Sequence, residues 1–313
     1  MAGISSKAAG KLENKRKFNG IEYENSFDLN IGEAFFRTHD PQIGRWWPID
    51  PKGEKYLNLS PYSAMGNNPI SIKDPLGDIL NGEDKKSANT LLNTIVGSFM
   101  GDKFKQLNSL FKIGKDGKTF SSISKKEFKS ATSKLSPDEK ALATGYFKAI
   151  NSKETNSVQF INSKDKLTLS MYKGLGIDKN ATEIAENKTG ADFLKNYGGG
   201  ANNTKSGGTY TLIVGDAAES VPIYCDPKAG LTSATPSTGE TLAHELLGHG
   251  LSFNLQIFGQ ANDNNAIYSS NIYRRVQGLS TFRDGTWHGP PMGNPGGPIN
   301  PQSTIPSYLK DEE

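Results

Sequence analysis

The stretch TGETLAHELLGHGLSF, residues 238–253, contains two histidines, His244 and His249, and a glutamate, Glu245, directly after the first of them. This order of residue types is typical of zinc peptidases, in which the two histidines bind the ion and the glutamate serves as general base. In that signature the histidines stand four positions apart, whereas here they stand five apart. The conformation of the backbone between them therefore decides whether the stretch can hold a metal ion.

A regular α-helix would not bring the two imidazoles together. Successive residues turn by about 100°, so side chains four positions apart lie about 40° apart around the helix axis, and side chains five positions apart lie about 140° apart. A π-bulge absorbs one extra residue within a turn, and such bulges concentrate at functional sites. Gly248 and Gly250 lower the cost of deforming the backbone. We therefore predict a π-bulge at the motif and zinc binding by His244 and His249.

The metal ion needs a third protein ligand, and several residues are candidates. The chain has one cysteine and four histidines, so the ligands have to come from His, Asp and Glu. Asp263, fourteen residues after His249, is the first candidate, although Asp is also a common helix N-cap. His288, in the Gly-rich stretch RDGTWHG, is the second, either as a ligand or as a donor to the transition state. Glu240 and Asp284 are weaker candidates.

These residue types predict the hydrolysis of a peptide bond. Zinc lowers the pKa of a bound water to about 7 and polarises the scissile carbonyl. Glu245 would take the proton of that water and return it to the leaving amine. Residues 209–214, rich in Thr, Tyr and Ile, precede the motif. This strand either binds substrate by pairing along its edge or is simply one strand of a sheet.

The segments around the motif have the patterns of both helices and strands. Ser237-Thr238-Gly239-Glu240 and Ser136-Pro137-Asp138-Glu139 have the sequence of capping boxes, which predicts the start of a helix at each. NAIYSSNIYRRVQ predicts a further helix over about 265–277. Residues 157–172 and 208–225 are rich in Thr, Tyr, Ile and Val, which is typical of strands. The pattern predicts a mixed α+β fold.

Composition narrows the classes of partner. The net charge of +3 over 313 residues is too small to indicate binding to nucleic acid or to a membrane surface. No apolar run approaches the length of about 18 residues that a transmembrane helix needs, and residues 1–17 lack the apolar region of a classical signal peptide. We expect no nucleic acid and no membrane span, and export by another route if the protein leaves its cell.

The N-terminal quarter contains four ordered landmarks with Asp-Pro or Asn-Pro pairs. They are Asp40-Pro41, Asp50-Pro51-Lys52-Gly53, Asn67-Asn68-Pro69 and Asp74-Pro75-Leu76-Gly77. In this order they resemble the RHS repeat-associated core, which closes the β-rich shell of polymorphic toxins. The resemblance covers residues 12–78 and implies an RHS-core segment at 1–78 and a toxin domain at 79–313. From about Gly289 the chain is rich in Gly and Pro, which predicts a disordered tail.

A second resemblance concerns the motif itself. HELLGH, residues 244–249, is similar to the zinc motif of the dipeptidyl-peptidase III family, which uses the same longer spacing. This resemblance implies zinc ligands at His244 and His249 and a general base at Glu245. Together the two resemblances imply an α+β architecture, in which a small β-rich RHS-core segment is followed by a zincin-like mixed domain with a signature metal-binding helix.

The RHS resemblance also implies how such a protein acts. It implies secretion by a specialised apparatus, interbacterial competition, a protein or peptide substrate in the target cell, and a cognate immunity protein. RHS cores further resemble self-cleaving aspartyl proteases, so Asp50 and Asp74 are candidates for autocleavage next to Gly77-Asp78. The alternative is that both Asp-Pro pairs only form turns.

Two other functions stay open at the level of the sequence. One is an RHS-associated toxin of another chemistry, such as a nuclease that uses His288 with Asp284. The other is a non-catalytic RHS shell or adhesion module with an inert metal site. Replacement of Glu245 by alanine separates the peptidase from both, because only the peptidase needs this carboxylate as a base.

Overall fold

The computed structural model describes most of the C-terminal three quarters of the chain and parts of the N-terminal quarter. The described residues are 22–24, 31–33, 38–48, 60, 62, 80–152, 154–177, 188–197, 199–205, 208–216, 221–226, 230–285 and 302–310. The chain divides into two compact units, Met1–Gly77 and Asp78–Glu313.

The described strands of the first unit form an antiparallel meander. Its strands, in chain order and in sheet order, are β1 (Glu22–Glu24), β2 (Ile31–Glu33), β3 (Thr38–Asp40) and β4 (Arg45–Trp46). The carboxylate of Asp40 accepts from the backbone N–H of Gln42 at 2.9 Å and so stabilises the turn between the last two strands. The landmark Asp40-Pro41 is therefore a turn that joins neighbouring strands.

The second unit is built on a four-stranded mixed sheet. Its strands are β5 (Leu80–Gly82), β6 (Thr155–Ile161), β7 (Gly200–Lys205) and β8 (Gly208–Val214), in the order β5-β6-β8-β7. The first three in that order are parallel, and β7 runs antiparallel to β8. A separate hairpin consists of β9 (Val221–Asp226) and β10 (Gly230–Ala234). The predicted mixture of helices and strands is confirmed.

Of the two alternatives for residues 209–214, the substrate-binding edge strand is wrong and the plain sheet strand is confirmed. These residues lie in β8, which pairs with β6 on one side and β7 on the other. All seven residues of β8 are buried. Among the described strands of this sheet, the edge strand nearest the motif is β7, which folds back as a hairpin onto β8.

Helices cover both faces of this sheet. They are α1 (Lys85–Gly97), α2 (Lys105–Asn108), α3 (Lys125–Thr132), α4 (Pro137–Ile150), α5 (Leu169–Gly174), α6 (Gly190–Tyr197), α7 (Thr238–Leu242), α8 (Leu251–Asn254) and α9 (Gly259–Val276). The predicted capping box at Ser136 is confirmed, since its side chain and that of Glu139 each bond to the backbone of the other residue. Helix α9 begins at Gly259 rather than at about 265.

Alternate residues of the strands supply two hydrophobic clusters. Val158 and Ile213 belong to the larger cluster, together with α1, α3, α4 and the leucines of the motif segment. Ile161 and Leu212 belong to the smaller cluster, with α5 and α6. Because successive side chains of a strand point to opposite faces, the sheet lies between two helical layers. The motif is anchored in the larger layer by Leu246 and Leu247, both fully buried.

The C-terminal residues 302–310 pack on the same large cluster. A short 3₁₀ turn, Ser307–Leu309, buries the side chains of Tyr308 and Leu309. The prediction of a disordered tail from about Gly289 is therefore wrong for this last part. Two large apolar side chains near the C-terminus bury enough surface to order a segment that its composition alone would leave unstructured.

Within the part of the chain that the structure describes, none of the helices combines the length and the apolar composition needed to cross a bilayer.

Candidate active site

The motif adopts a π-helix between α7 and α8. It spans Ala243–Gly250, eight residues, so the predicted π-bulge is confirmed and is longer than a single turn. The wider turn brings the rings of His244 and His249 together, with centroids 5.1 Å apart and planes at 83°. In a regular α-helix the same two side chains would point to nearly opposite faces.

The separation of the two rings fits a shared zinc ion. Zinc binds imidazole nitrogen at about 2.0–2.1 Å in tetrahedral geometry, which puts the centroids of two bound rings about 5 Å apart. The observed 5.1 Å between His244 and His249 agrees with this value. The pair therefore fits two of the three protein ligands of a catalytic zinc site.

His249 also has the tautomer that metal binding requires. Its Nδ1 is hydrogen-bonded to the side-chain carbonyl oxygen of Asn262. The amide orientation is fixed, because Asn262 Nδ2 donates to the carbonyls of His249 at 3.2 Å and of Ile257 at 3.1 Å. A carbonyl oxygen can only accept, so the hydrogen of neutral His249 is on Nδ1 and the lone pair is on Nε2.

His244 is held at its Nδ1 by two groups. Ser270 Oγ of α9 lies 3.0 Å from this nitrogen, and Arg283 Nη1 lies 2.8 Å from it. Ser270 and Arg283 also contact each other at 3.1 Å. All three side chains are buried, so the ring orientation of His244 is set inside the protein rather than by solvent.

Arg283 is a site residue that the sequence does not reveal. It lies in the loop after α9, where the backbone N–H and carbonyl of Arg283 are both bonded to the Asn271 side chain at 2.7 Å. Only 7% of Arg283 is exposed. The local sequence TFRDG has no feature that would distinguish this arginine from a surface residue, and its role arises only from the contact with the motif.

Glu245 is buried beside the two histidines. It is 7% exposed, and burial raises its pKa to about 8, while the positive charge of Arg283 acts in the opposite direction. Strand β7 passes close to it, since a Cβ added to Gly200 would come within 2.9 Å of Glu245 Cγ. The side chain predicted as general base thus lies next to strand β7 and within electrostatic reach of a guanidinium.

Glu240 has a different role from the predicted capping box. Ser237 Oγ accepts from the backbone N–H of Glu240 at 3.2 Å, as a cap should. The carboxylate of Glu240 does not return to the backbone of Ser237 but pairs with Arg274 of α9 at 2.7 Å. Both partners are almost fully buried. This ion pair therefore ties the start of the motif helix to α9.

The structure does not place Asp263 as the third metal ligand. Among the described residues, no three His, Cys, Asp or Glu side chains form a group that could hold a metal ion. Asp263 lies in α9. Burial lowers the pKa of His249, and the negative charge of Asp263 opposes this shift. Asp284, one of the weaker candidates for a ligand, is buried, with 1% of its surface exposed. His288, Asp50 and Asp74 lie outside the described residues.

Comparisons with known proteins add little to this geometry. No family model matches the chain, and no solved structure matches it. Its sequence is 36% identical over 85 residues to Salivary gland surface protein 1 of Aedes aegypti. That match covers 27% of this chain and 2% of the mosquito protein, so it shows neither a family nor an activity.

Proposed function

We propose that the C-terminal unit is a zinc-dependent peptidase, carried as the toxin domain of a secreted RHS-associated polymorphic toxin. The observation that supports the catalytic part is the π-helix over Ala243–Gly250, which brings His244 and His249 to a centroid separation of 5.1 Å. π-Helices are rare and are concentrated at functional sites. One that pairs two histidines around a buried glutamate favours a metal-dependent hydrolase.

The residues of the motif would have two roles in hydrolysis, metal binding and proton transfer. His244 and His249 would hold the zinc ion, with His288 as the candidate for the third ligand. Zinc bound there supplies Lewis acidity toward water and toward the scissile carbonyl. Glu245 takes a proton from the attacking water and passes it to the leaving amine. The positive charge of a bound zinc ion would favour the ionised carboxylate that this role requires.

The edge strand β7 supports a peptide as the substrate. Among the described strands it lies at the sheet edge, and it passes Glu245 at Gly200. An added Cβ on Gly250 of the motif would lie 3.2 Å from Asn202 of the same strand. The backbone groups of an edge strand can pair with an extended peptide, which would bring a peptide bond beside the motif.

Metal content and peptide hydrolysis test this proposal. Purified protein should contain about one zinc ion per chain, and His244→Ala and His249→Ala should each lose most of it. Glu245→Gln should keep the zinc and lose about 10²–10⁴-fold of its hydrolysis of an unfolded protein such as casein, because an amide cannot accept the proton. Glu127→Gln, the same change at an exposed position of α3, is the control. Zinc-free protein, or full activity in Glu245→Gln, contradicts the proposal.

The toxin part of the proposal rests on the RHS resemblance. It assigns the protein to a specialised secretion apparatus, a protein substrate in a target cell and a cognate immunity protein. Expression of residues 78–313 in the cytoplasm of a bacterial host should arrest growth, and Glu245→Gln in the same fragment should restore it. Growth arrest that persists in this variant would favour another chemistry.

A further inference from the structure

We propose that Arg283 holds His244 in a form that does not bind zinc, so that loading of the metal requires this guanidinium to leave the imidazole. The inference rests on the proposed function, because it concerns the same pair of histidines. The observation behind it is the distance of 2.8 Å between Arg283 Nη1 and His244 Nδ1, both buried.

The chemistry of the two groups sets the direction of this hydrogen bond. A guanidinium has only N–H groups and can only donate, so Nδ1 of His244 accepts. A neutral imidazole that accepts at one nitrogen carries its hydrogen on the other, which here is Nε2. A protonated ring nitrogen has no lone pair for a metal ion. His244 and His249 are therefore in opposite tautomers, and only that of His249 is ready to bind zinc at Nε2.

Ser270 provides the partner for the metal-binding form of His244. Its Oγ lies 3.0 Å from the same Nδ1 and donates to the carbonyl of Ala266 at 3.3 Å. A hydroxyl that donates in this way still has lone pairs with which to accept. On metal loading, the ring would release the proton from Nε2 to solvent and take up one at Nδ1, which donates to Ser270. The ring stays neutral, and Arg283 has to move because Nδ1 can no longer accept.

Arg283 has other partners in reach. Its backbone N–H and carbonyl are each fixed by Asn271 at 2.7 Å, so the side chain moves rather than the loop. The carboxyl groups of Glu240, Glu245 and Asp284 attract the guanidinium, and the guanidinium of Arg274 repels it. Acidic groups therefore lie within electrostatic reach of Arg283 in addition to the imidazole. Arg283 and Ser270 thus compete for Nδ1 of His244. Only the hydrogen bond to Ser270 leaves Nε2 of His244 free to bind a metal ion.

The tautomers can be determined without zinc. In the full chain, labelled with ¹⁵N-histidine and stripped of metal, long-range ¹H–¹⁵N spectra distinguish protonated from unprotonated ring nitrogens. We expect a hydrogen on Nε2 of His244 and on Nδ1 of His249, each assigned from the spectrum of the corresponding His→Gln variant. A hydrogen on Nδ1 of His244 in the metal-free protein would overturn the inference and leave the proposed peptidase intact.

Zinc affinity of the full chain, measured by competition with a chromophoric chelator, gives a second test. Arg283→Met should bind zinc about tenfold more tightly than the unaltered protein, because a charged hydrogen bond no longer opposes the metal. Ser270→Ala should bind it about tenfold or more weakly. A site that is merely loosened would bind zinc more weakly in both variants.

The outcomes separate the two proposals. Equal or weaker binding by folded Arg283→Met overturns the role of Arg283 while zinc binding stands. Absence of zinc binding in all three proteins overturns the peptidase and this inference together. If Arg283→Met does not fold, the histidine spectra of the unaltered protein and of Ser270→Ala decide, since Ser270→Ala should keep the hydrogen on Nε2 of His244.

Discussion

At the scale of single residues, the burial of Glu245 makes stability depend on pH. Burial raises the pKa of this carboxyl group from 4.5 to about 8, against the opposing charge of Arg283. Between these two pH values the folded state keeps a proton that the unfolded state has released. The contribution of this group to the free energy of unfolding therefore falls as the pH rises from about 4.5 to about 8.

We expect Glu245→Gln to remove this contribution in metal-free protein, because an amide does not ionise. The difference in unfolding free energy, variant minus unaltered protein, should therefore rise by on the order of a few kcal/mol from pH 5 to pH 8. Urea denaturation of both proteins in the presence of a chelator measures this difference. The exposed Glu127→Gln should show no such gain. If the difference in unfolding free energy between Glu245→Gln and the unaltered protein is the same at both pH values, the pKa of Glu245 is not raised.

At the scale of elements, the π-helix depends on the close approach of α9. A Cβ added to Gly248 would come within 2.2 Å of Ala266 Cα, so the two backbones are almost in contact. The glycine was expected to ease the distortion of the backbone, yet its φ is not positive, and that of Gly250 is −60°. Gly248 is required for packing rather than for an unusual conformation.

Gly248→Ala should therefore destabilise the protein through a clash between helices. We expect a loss of about 3 kcal/mol in unfolding free energy, since the neighbouring atom is backbone and cannot turn aside. The control is Gly97→Ala at the end of α1, where nothing lies within 4 Å of the added Cβ. It should be neutral or stabilising by up to about 1 kcal/mol. Equal stability of the two variants would show that the contact with Ala266 is not tight.

The C-terminal turn supports the π-helix from another side. The hydroxyl of Tyr308 donates to the carbonyl of Leu247 at 2.8 Å, in a buried position. Tyr308→Phe keeps the packing of the ring and leaves this carbonyl without the bond, so we expect a loss of about 1–3 kcal/mol in urea denaturation. Tyr62→Phe, at a tyrosine that is 37% exposed, should change stability little. An unchanged midpoint in Tyr308→Phe would mean that the hydroxyl is not needed.

At the scale of the whole molecule, the second unit contains both hydrophobic clusters of its sheet. All of their residues lie between Leu80 and Leu309. A fragment of residues 78–313 should therefore fold alone and unfold cooperatively, as measured by thermal circular dichroism. The same fragment ended at residue 301 should lose its cooperative transition, because Tyr308 and Leu309 complete the larger cluster. A cooperative transition at the same temperature in both fragments would show that the C-terminal turn is dispensable.

The sequence by itself determined the features that depend on neighbours within one or two turns. The capping box of α4 follows from Ser136 and Glu139. The π-helix could be predicted because two histidines five positions apart can share an ion only where the helix is widened. Local hydrogen bonds and backbone sterics act over this range, so residue types in order are sufficient.

Only the tertiary structure decided what surrounds the motif. Arg283 reaches His244 across 39 positions, and Asn262 reaches His249 across 13, so neither contact leaves a local pattern. The first turns of α9 were not predicted because their polar asparagines show no apolar period, although Asn262 is used by the motif. Whether β8 is an edge strand or an interior strand likewise depends on the return of β7 along it. These outcomes depend on packing between distant segments, which local propensity does not encode.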